Sequence, residues 1–115
     1  MAKILITDDE PMNLRMTEFM LNKNGYEIIK ASSGEECLEK LSEEPDLVFL
    51  DVMMPGLNGF ETLKRIRSSG NTVPVLFLTA ADDRETLQKA AALGVSCVRK
   101  PFKPSELLGA VQQNL

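Results

Sequence analysis

Apolar positions along this chain alternate between two periods. Short runs dense in apolar and β-branched residues, KILIT (3–7), YEIIKA (26–31), DLVFL (46–50), VPVLFLT (73–79) and SCVRK (96–100), predict five strands. The first, third and fourth are almost continuously apolar, as strands covered on both faces are; the second and fifth are mixed and suit the edges of a sheet. Between the strands the period lengthens to that of a helix. Met12, Met16, Phe19 and Met20 fall at i, i+4, i+7 and i+8, with Pro11 in the first turn and Gly25 at the end. Ser33 and Glu36 have the spacing of a capping box ahead of Cys37, Leu38 and Leu41. Phe60, Leu63 and Ile66 form a third stripe that stops at Gly70, Leu87, Ala90 and Ala91 a fourth that stops at Gly94, and Leu107, Leu108, Val111 and Leu115 a fifth. Each stripe is expected to face the core.

Repeated β-α units joined by right-handed crossovers predict an α/β fold, a doubly wound (βα)5 domain with a parallel sheet spanning residues 1–115. A chain of 115 residues, 43% hydrophobic and 26% charged, suits one core rather than two. No apolar run approaches the roughly 20 residues needed to cross a bilayer, and MAKILIT is too short for a secretory h-region, so a cytoplasmic location and no membrane partner are expected. Cys37 and Cys97 lack CxxC spacing and suggest small buried hydrophobes rather than a disulfide or zinc site. With no histidine, the chain has no imidazole base, triad or imidazole metal ligand. A net charge of −4 argues against direct nucleic-acid binding.

Ligands of doubly wound sheets gather at the carboxyl ends of the strands. There the first strand ends in Asp8-Asp9-Glu10, the third in Asp51, the fourth in Thr79 and the fifth in Lys100-Pro101, whereas the second ends in Ala31-Ser32-Ser33. Singly, each has a structural role open to it: acids near a helix start are worth about 0.3–1 kcal/mol, and Asp51 can begin a loop. Their convergence on one rim points instead to a site. Asp8, Asp9 and Asp51 brought close together would raise each other's pKa unless a cation lay among them. Few hard oxygen ligands with room for water suit Mg²⁺, or Mn²⁺ in its place. Such an ion would neutralise a phosphoryl group arriving at one carboxylate, with Thr79 and Lys100 on its other oxygens, which is the chemistry of an aspartyl phosphate.

The set Asp8-Asp9-Glu10, LDVMMPGLNG (50–59), LTA (78–80) and RKPF (99–102), in this order and spacing, resembles the receiver domain of two-component response regulators over essentially the whole chain. The resemblance implies a flavodoxin-like sheet in the order 2-1-3-4-5. It also implies that Asp51 is the phosphoacceptor, that Asp9, Asp51 and the backbone carbonyl of Met53 bind Mg²⁺ directly, and that Asp8 does so through water. Thr79 and Lys100 would bind the phosphoryl group, and a cis peptide would precede Pro101. Pro55, Gly56 and Gly59 match as well and would turn the loop sharply, Gly59 through a positive φ. The implied partners are a sensor histidine kinase or histidine phosphotransfer protein as donor, and an effector domain or protein downstream, with a phosphorylation-linked homodimer as one output.

Two departures carry expectations. Cys97 stands three residues before Lys100, where many receivers have a switch Tyr or Phe, so a ring-rotation relay is not expected. Met53 and Ala81 are apolar where polar residues guide an attacking water, which predicts a long-lived phosphoryl group. Alternatives are an aspartyl-phosphate hydrolase, which would carry a second acid at position 53, and a receiver-like binding module that is never phosphorylated. A dinucleotide or flavin binder would need a phosphate loop where this chain has acids.

Overall fold

The computed structural model describes residues 2–80, 84–100 and 102–115. Five strands alternate with five helices: β1 (Lys3–Thr7), α1 (Pro11–Asn22), β2 (Glu27–Ala31), α2 (Gly34–Lys40, followed by a 3-10 turn over Leu41–Glu43), β3 (Leu47–Asp51), α3 (Gly59–Ser68), β4 (Val75–Ala80), α4 (Arg84–Ala92), β5 (Cys97–Lys100) and α5 (Pro104–Asn114). All four strand pairings are parallel, in the order β2-β1-β3-β4-β5. The two mixed strands are therefore the edges, as expected.

Side-chain alternation divides the core into two layers. Leu5, Val48, Leu50, Val75 and Phe77 face Cys37, Leu63, Ile66 and Ala90 of α2, α3 and α4. Ile4, Ile6, Leu47, Phe49, Leu76 and Leu78 face Leu14 and Leu21 of α1 and Leu107 and Val111 of α5. Burial on both sides explains the unbroken apolar runs of β1, β3 and β4.

Helix α1 departs from expectation. Its buried residues are Leu14, Thr17 and Leu21, while Met12, Met16 and Phe19 are exposed and Met20 is half-buried. Both sets obey a helical period; the threonine in the buried one hid it, and the more apolar stripe faces outward. On α4, Thr86 and Ala90 are buried, Leu87 is half-buried and Ala91 is exposed, and Leu115 lies exposed beyond the end of α5. At α2, Ser33 Oγ accepts the Glu36 N–H as a cap should, but the Glu36 carboxylate accepts from Ser32 N–H rather than from the cap residue. Cys37 is buried and Cys97 half-buried.

Strand register places the candidate site residues. Thr7 pairs with Leu50, Asp51 with Leu78, Thr79 with Arg99 and Ala80 with Lys100. The carboxyl ends of β1, β3, β4 and β5 therefore fall within three residues of one another across the sheet, and the groups at or just past them meet at one rim.

Candidate functional site

Asp51 is the last residue of β3, a strand buried along its whole length, and is itself only 7% exposed. The ladder continues past it, with Val52 N–H donating to Leu78 O at 3.1 Å, so its backbone is fixed on both sides. Asp8 follows β1 and is buried; its N–H donates to Ala31 O at 3.1 Å, and its Oδ1 accepts Glu10 N–H at 3.0 Å. Asp9 is exposed beside it. Glu10 is the N-cap of α1 without capping it through its side chain, and Pro11 needs no partner at the first helical position. Helix capping thus leaves Asp9 and Glu10 unexplained.

One carboxylate oxygen from each of Asp8, Asp9 and Asp51 lies within 4.8 Å of the others. Lys100, at the end of β5, reaches across the rim: its Nζ donates to Asp8 Oδ2 at 3.0 Å and to Asp51 Oδ2 at 3.2 Å. Burial raises the Asp51 carboxyl from 3.8 to about 6; the Lys100 ammonium opposes that rise and the Asp8 charge adds to it. Burial works against the Lys100 charge, but its bonds to Asp8 and the charges of both carboxylates outweigh it and leave its pKa above the ordinary value. Thr79 is 3% exposed, and its hydroxyl has no hydrogen-bond partner among the described residues. A buried hydroxyl left bare is costly unless a ligand supplies its partner. Asp9, Asp51, Thr79 and Lys100 border a cleft of about 460 Å³, whose walls also include Met16, Met53 and Phe102.

Three clustered carboxylates open to solvent through Asp9 fit a hard divalent cation that keeps part of its water. A cation there would share the Asp8 and Asp51 carboxylates with Lys100. The site therefore has one fixed positive charge, room for a second, and an unpaired donor.

The loop after Asp51 is tied down by features the sequence reading missed. Gly59 N–H donates to Val52 O at 3.0 Å and closes the loop. Asn58 and Glu61 form a full capping box, with Asn58 Oδ1 accepting Glu61 N–H at 2.9 Å and Glu61 Oε1 accepting Asn58 N–H at 3.0 Å. The NGFE spacing was its signal in the sequence. Gly56 has φ +74°, whereas Gly59 does not adopt the positive φ expected of it. Gly59 is needed because a Cβ there would stand 2.9 Å from the Asp51 carbonyl oxygen. From the side, Gly34 at the start of α2 packs so closely on Thr62 and Leu57 that a Cβ would fall 2.8 Å from Leu57 Cβ.

The structure thus brings together Asp8, Asp9, Asp51, Thr79 and Lys100, with the Met53 side chain exposed at the cleft wall. Cys97 stands apart, on β5, packed against the α2–α4 layer. Ala81 and the peptide before Pro101 lie outside the described residues.

Residues 4–112 match the response regulator receiver domain family. The chain belongs to that family. This receiver domain is 40% identical over 112 residues to the alkaline phosphatase synthesis transcriptional regulatory protein PhoP of Bacillus subtilis, covering 96% of the chain and 47% of PhoP. It is 41% identical over 113 residues to the CpxR homolog of Haemophilus influenzae, a transcriptional regulatory protein, covering 97% of the chain and 49% of the relative. The receiver thus spans about half the length of these curated relatives. Among solved structures, Vibrio cholerae chemotaxis protein CheY4 superposes with a TM-score of 0.91 at 35% identity, covering 100% of this chain and 99% of CheY4. NtrX of Brucella abortus superposes with a TM-score of 0.92 at 29% identity, covering 100% of the receiver and 27% of NtrX. The receiver fold and its place in two-component signalling follow. No helix among the described residues is long and apolar enough to cross a membrane.

Proposed function

We propose that this receiver takes a phosphoryl group onto Asp51 from a histidine of a partner protein, with Mg²⁺ or Mn²⁺ bound, and that the aspartyl phosphate changes the state of an effector. The observation that carries this reading is Asp51 itself: a buried carboxylate at a rigid strand end, opening on a cleft with a lysine and a bare hydroxyl beside it. With a pKa of about 6 it is mostly ionised at neutral pH and still basic enough to be a good nucleophile.

Its oxygen forms a bond to phosphorus as the phosphorus–nitrogen bond of the donor breaks, and the electron pair returns to the imidazole nitrogen, which takes up a proton. Lys100 then exchanges the Asp51 oxygen for a phosphoryl oxygen, and Thr79 donates its unpaired hydroxyl to another. Asp9, Asp51 and the Met53 carbonyl would hold a divalent cation, with Asp8 acting through water, and the ion would supply the charge neutralisation the transfer requires. The loop's two closures, at Gly59 and at the Asn58–Glu61 box, keep Met53 and Asp51 in fixed relation.

The donor is external, because the chain contains no histidine. A sensor histidine kinase or histidine phosphotransfer protein is supported by the outward apolar face of α1. Met16 belongs both to the cleft and to a groove along α1 with Phe19 and Met20. A protein donor seated on that face has its histidine directed at Asp51. The output is an effector domain or protein, or a phosphorylation-linked homodimer. A net charge of −4 leaves nucleic-acid contact to that effector.

Intact mass after incubation with Mg²⁺ and a small phosphodonor tests the reading. Wild type gains about 80 Da, one PO₃H unit, and Asp51→Asn gains nothing. Equal gain by both proteins refutes it.

A further inference from the structure

Met12, Met16 and Met53 are 72%, 53% and 74% exposed, whereas Met54 is buried and Met20 half-buried. Two of the exposed three, Met16 and Met53, line the cleft that holds Asp51, Thr79 and Lys100. Met53 is two residues from the carboxylate that receives the phosphoryl group, and Met16 joins the cleft to the apolar face of α1. The thiols do not compete for an oxidant. Cys37 is enclosed, and burial pushes both Cys37 and Cys97 above the ordinary thiol range, so little reactive thiolate exists at neutral pH.

We propose that Met16 and Met53 form a reversible oxidation site on the wall of the phosphoacceptor cleft, through which peroxides lower the phosphorylated fraction of the receiver. The inference rests on Asp51 being the phosphoacceptor. A thioether sulfur attacks one oxygen of hydrogen peroxide; the S–O bond forms, the O–O bond breaks, and the departing hydroxide leaves as water after a proton shift. Sulfur is oxidised by two electrons and the peroxide is reduced. A thiol-dependent reductase reverses the step, the sulfoxide oxygen leaving as water while two thiols become a disulfide.

The product differs from methionine where it matters. A sulfoxide oxygen is a strong hydrogen-bond acceptor, and it replaces an apolar wall with a polar one. A water held by that oxygen in the cleft is placed to attack the aspartyl phosphate; a new O–P bond forms as the Asp51 O–P bond breaks, the electron pair returns to the Asp51 carboxylate, and the water's proton passes to solvent as inorganic phosphate leaves. On Met16 the same oxygen must be desolvated when an apolar donor surface seats on α1. Faster loss and slower gain act in one direction.

The test treats the purified chain with hydrogen peroxide, maps sulfoxides by peptide mass, removes the oxidant, and phosphorylates with Mg²⁺ and a small phosphodonor. The lifetime of the phosphoryl group is then read as the ratio of treated to untreated protein. Met12, Met16 and Met53 should convert severalfold faster than Met20 and Met54. The wild-type lifetime should shorten about threefold to tenfold, the range one added hydrogen bond to an attacking water supplies. Met16→Leu/Met53→Leu, a volume-conserving pair, should show a ratio near one, while Met12→Leu should follow wild type. Equal oxidation of Met54, an unchanged wild-type lifetime, or equal shortening in the double variant overturns the inference while phosphorylation of Asp51 stands. Failure of the untreated chain to accept phosphoryl overturns both.

Discussion

Replacing Asp51 with asparagine should stabilise the metal-free receiver at neutral pH, although it removes the residue around which the site is built. The Asp51 carboxyl rises from 3.8 to about 6 on folding, chiefly through burial. At 1.36 kcal/mol for each tenfold change in proton affinity, holding the ionised form costs the folded state on the order of 3 kcal/mol. A carboxyl with a raised folded pKa contributes stability below its unfolded value and loses it as pH rises through the folded value. The wild-type protein in chelator should therefore weaken between about pH 4 and pH 7. Asparagine is nearly isosteric, stays neutral throughout, and its carbonyl can still accept from Lys100. Allowing about 1 kcal/mol for the weaker contact leaves a gain of roughly 1–2 kcal/mol at pH 7.5, or about 3–10 °C in Tm for a domain of this length. Thermal unfolding followed by circular dichroism at pH 4.5, 6 and 7.5 reads this directly. The two proteins should nearly coincide at pH 4.5 and separate as pH rises. An asparagine variant less stable at pH 7.5, or a gap that does not change with pH, refutes the reasoning.

Other expectations share the same geometry. Mg²⁺ should raise the Tm of wild type at pH 7.5 and do little at pH 5, where protons compete for Asp51, and the asparagine variant should respond less at every pH; a pH-independent shift would contradict this. Gly34→Ala should cost about 1–3 kcal/mol in urea unfolding because its Cβ meets Thr62 and Leu57, whereas Gly109→Ala, in open space on α5, should gain about 0.5–1 kcal/mol. Met53→Asn should hasten loss of phosphate from the phosphorylated protein by about tenfold, by giving the exposed cleft wall a group that orients water; an unchanged time course counts against the assignment. Cys97→Tyr should alter partner affinity measured by calorimetry while leaving phosphoryl uptake intact, since Cys97 lies apart from the acidic cluster; equal partner binding disposes of that role.

How much of this was legible before the fold was known differs by element. β1, β3 and β4 announced themselves because both of their faces are buried, and such strands can scarcely be written in polar residues. The site was legible because its acids, hydroxyl and lysine each lie at or just past the carboxyl end of a strand, and parallel neighbours in this sheet end within three residues of one another. α1 was misread because hydrophobicity does not reveal which of two stripes meets the sheet. Leu14, Thr17 and Leu21 do, while Met12, Met16 and Phe19 stay exposed. Gly59 was assigned to backbone conformation when its constraint is space, since a φ and a neighbour 2.9 Å away leave the same trace in a sequence. The grip of α2 on the loop through Gly34 joins residues 57 and 62 to a distant helix, and no local pattern encodes it.

The central claim is that Asp51 carries the phosphoryl group. Borohydride reduction of the phosphorylated protein converts an acyl phosphate to an alcohol, so an aspartyl phosphate becomes homoserine at its own position. Peptide mass mapping should find homoserine at residue 51, only after treatment with Mg²⁺ and phosphodonor, and none at Asp8 or Asp9. Homoserine at either neighbour, or a phosphoryl group that survives reduction on a hydroxyl, would contradict the account.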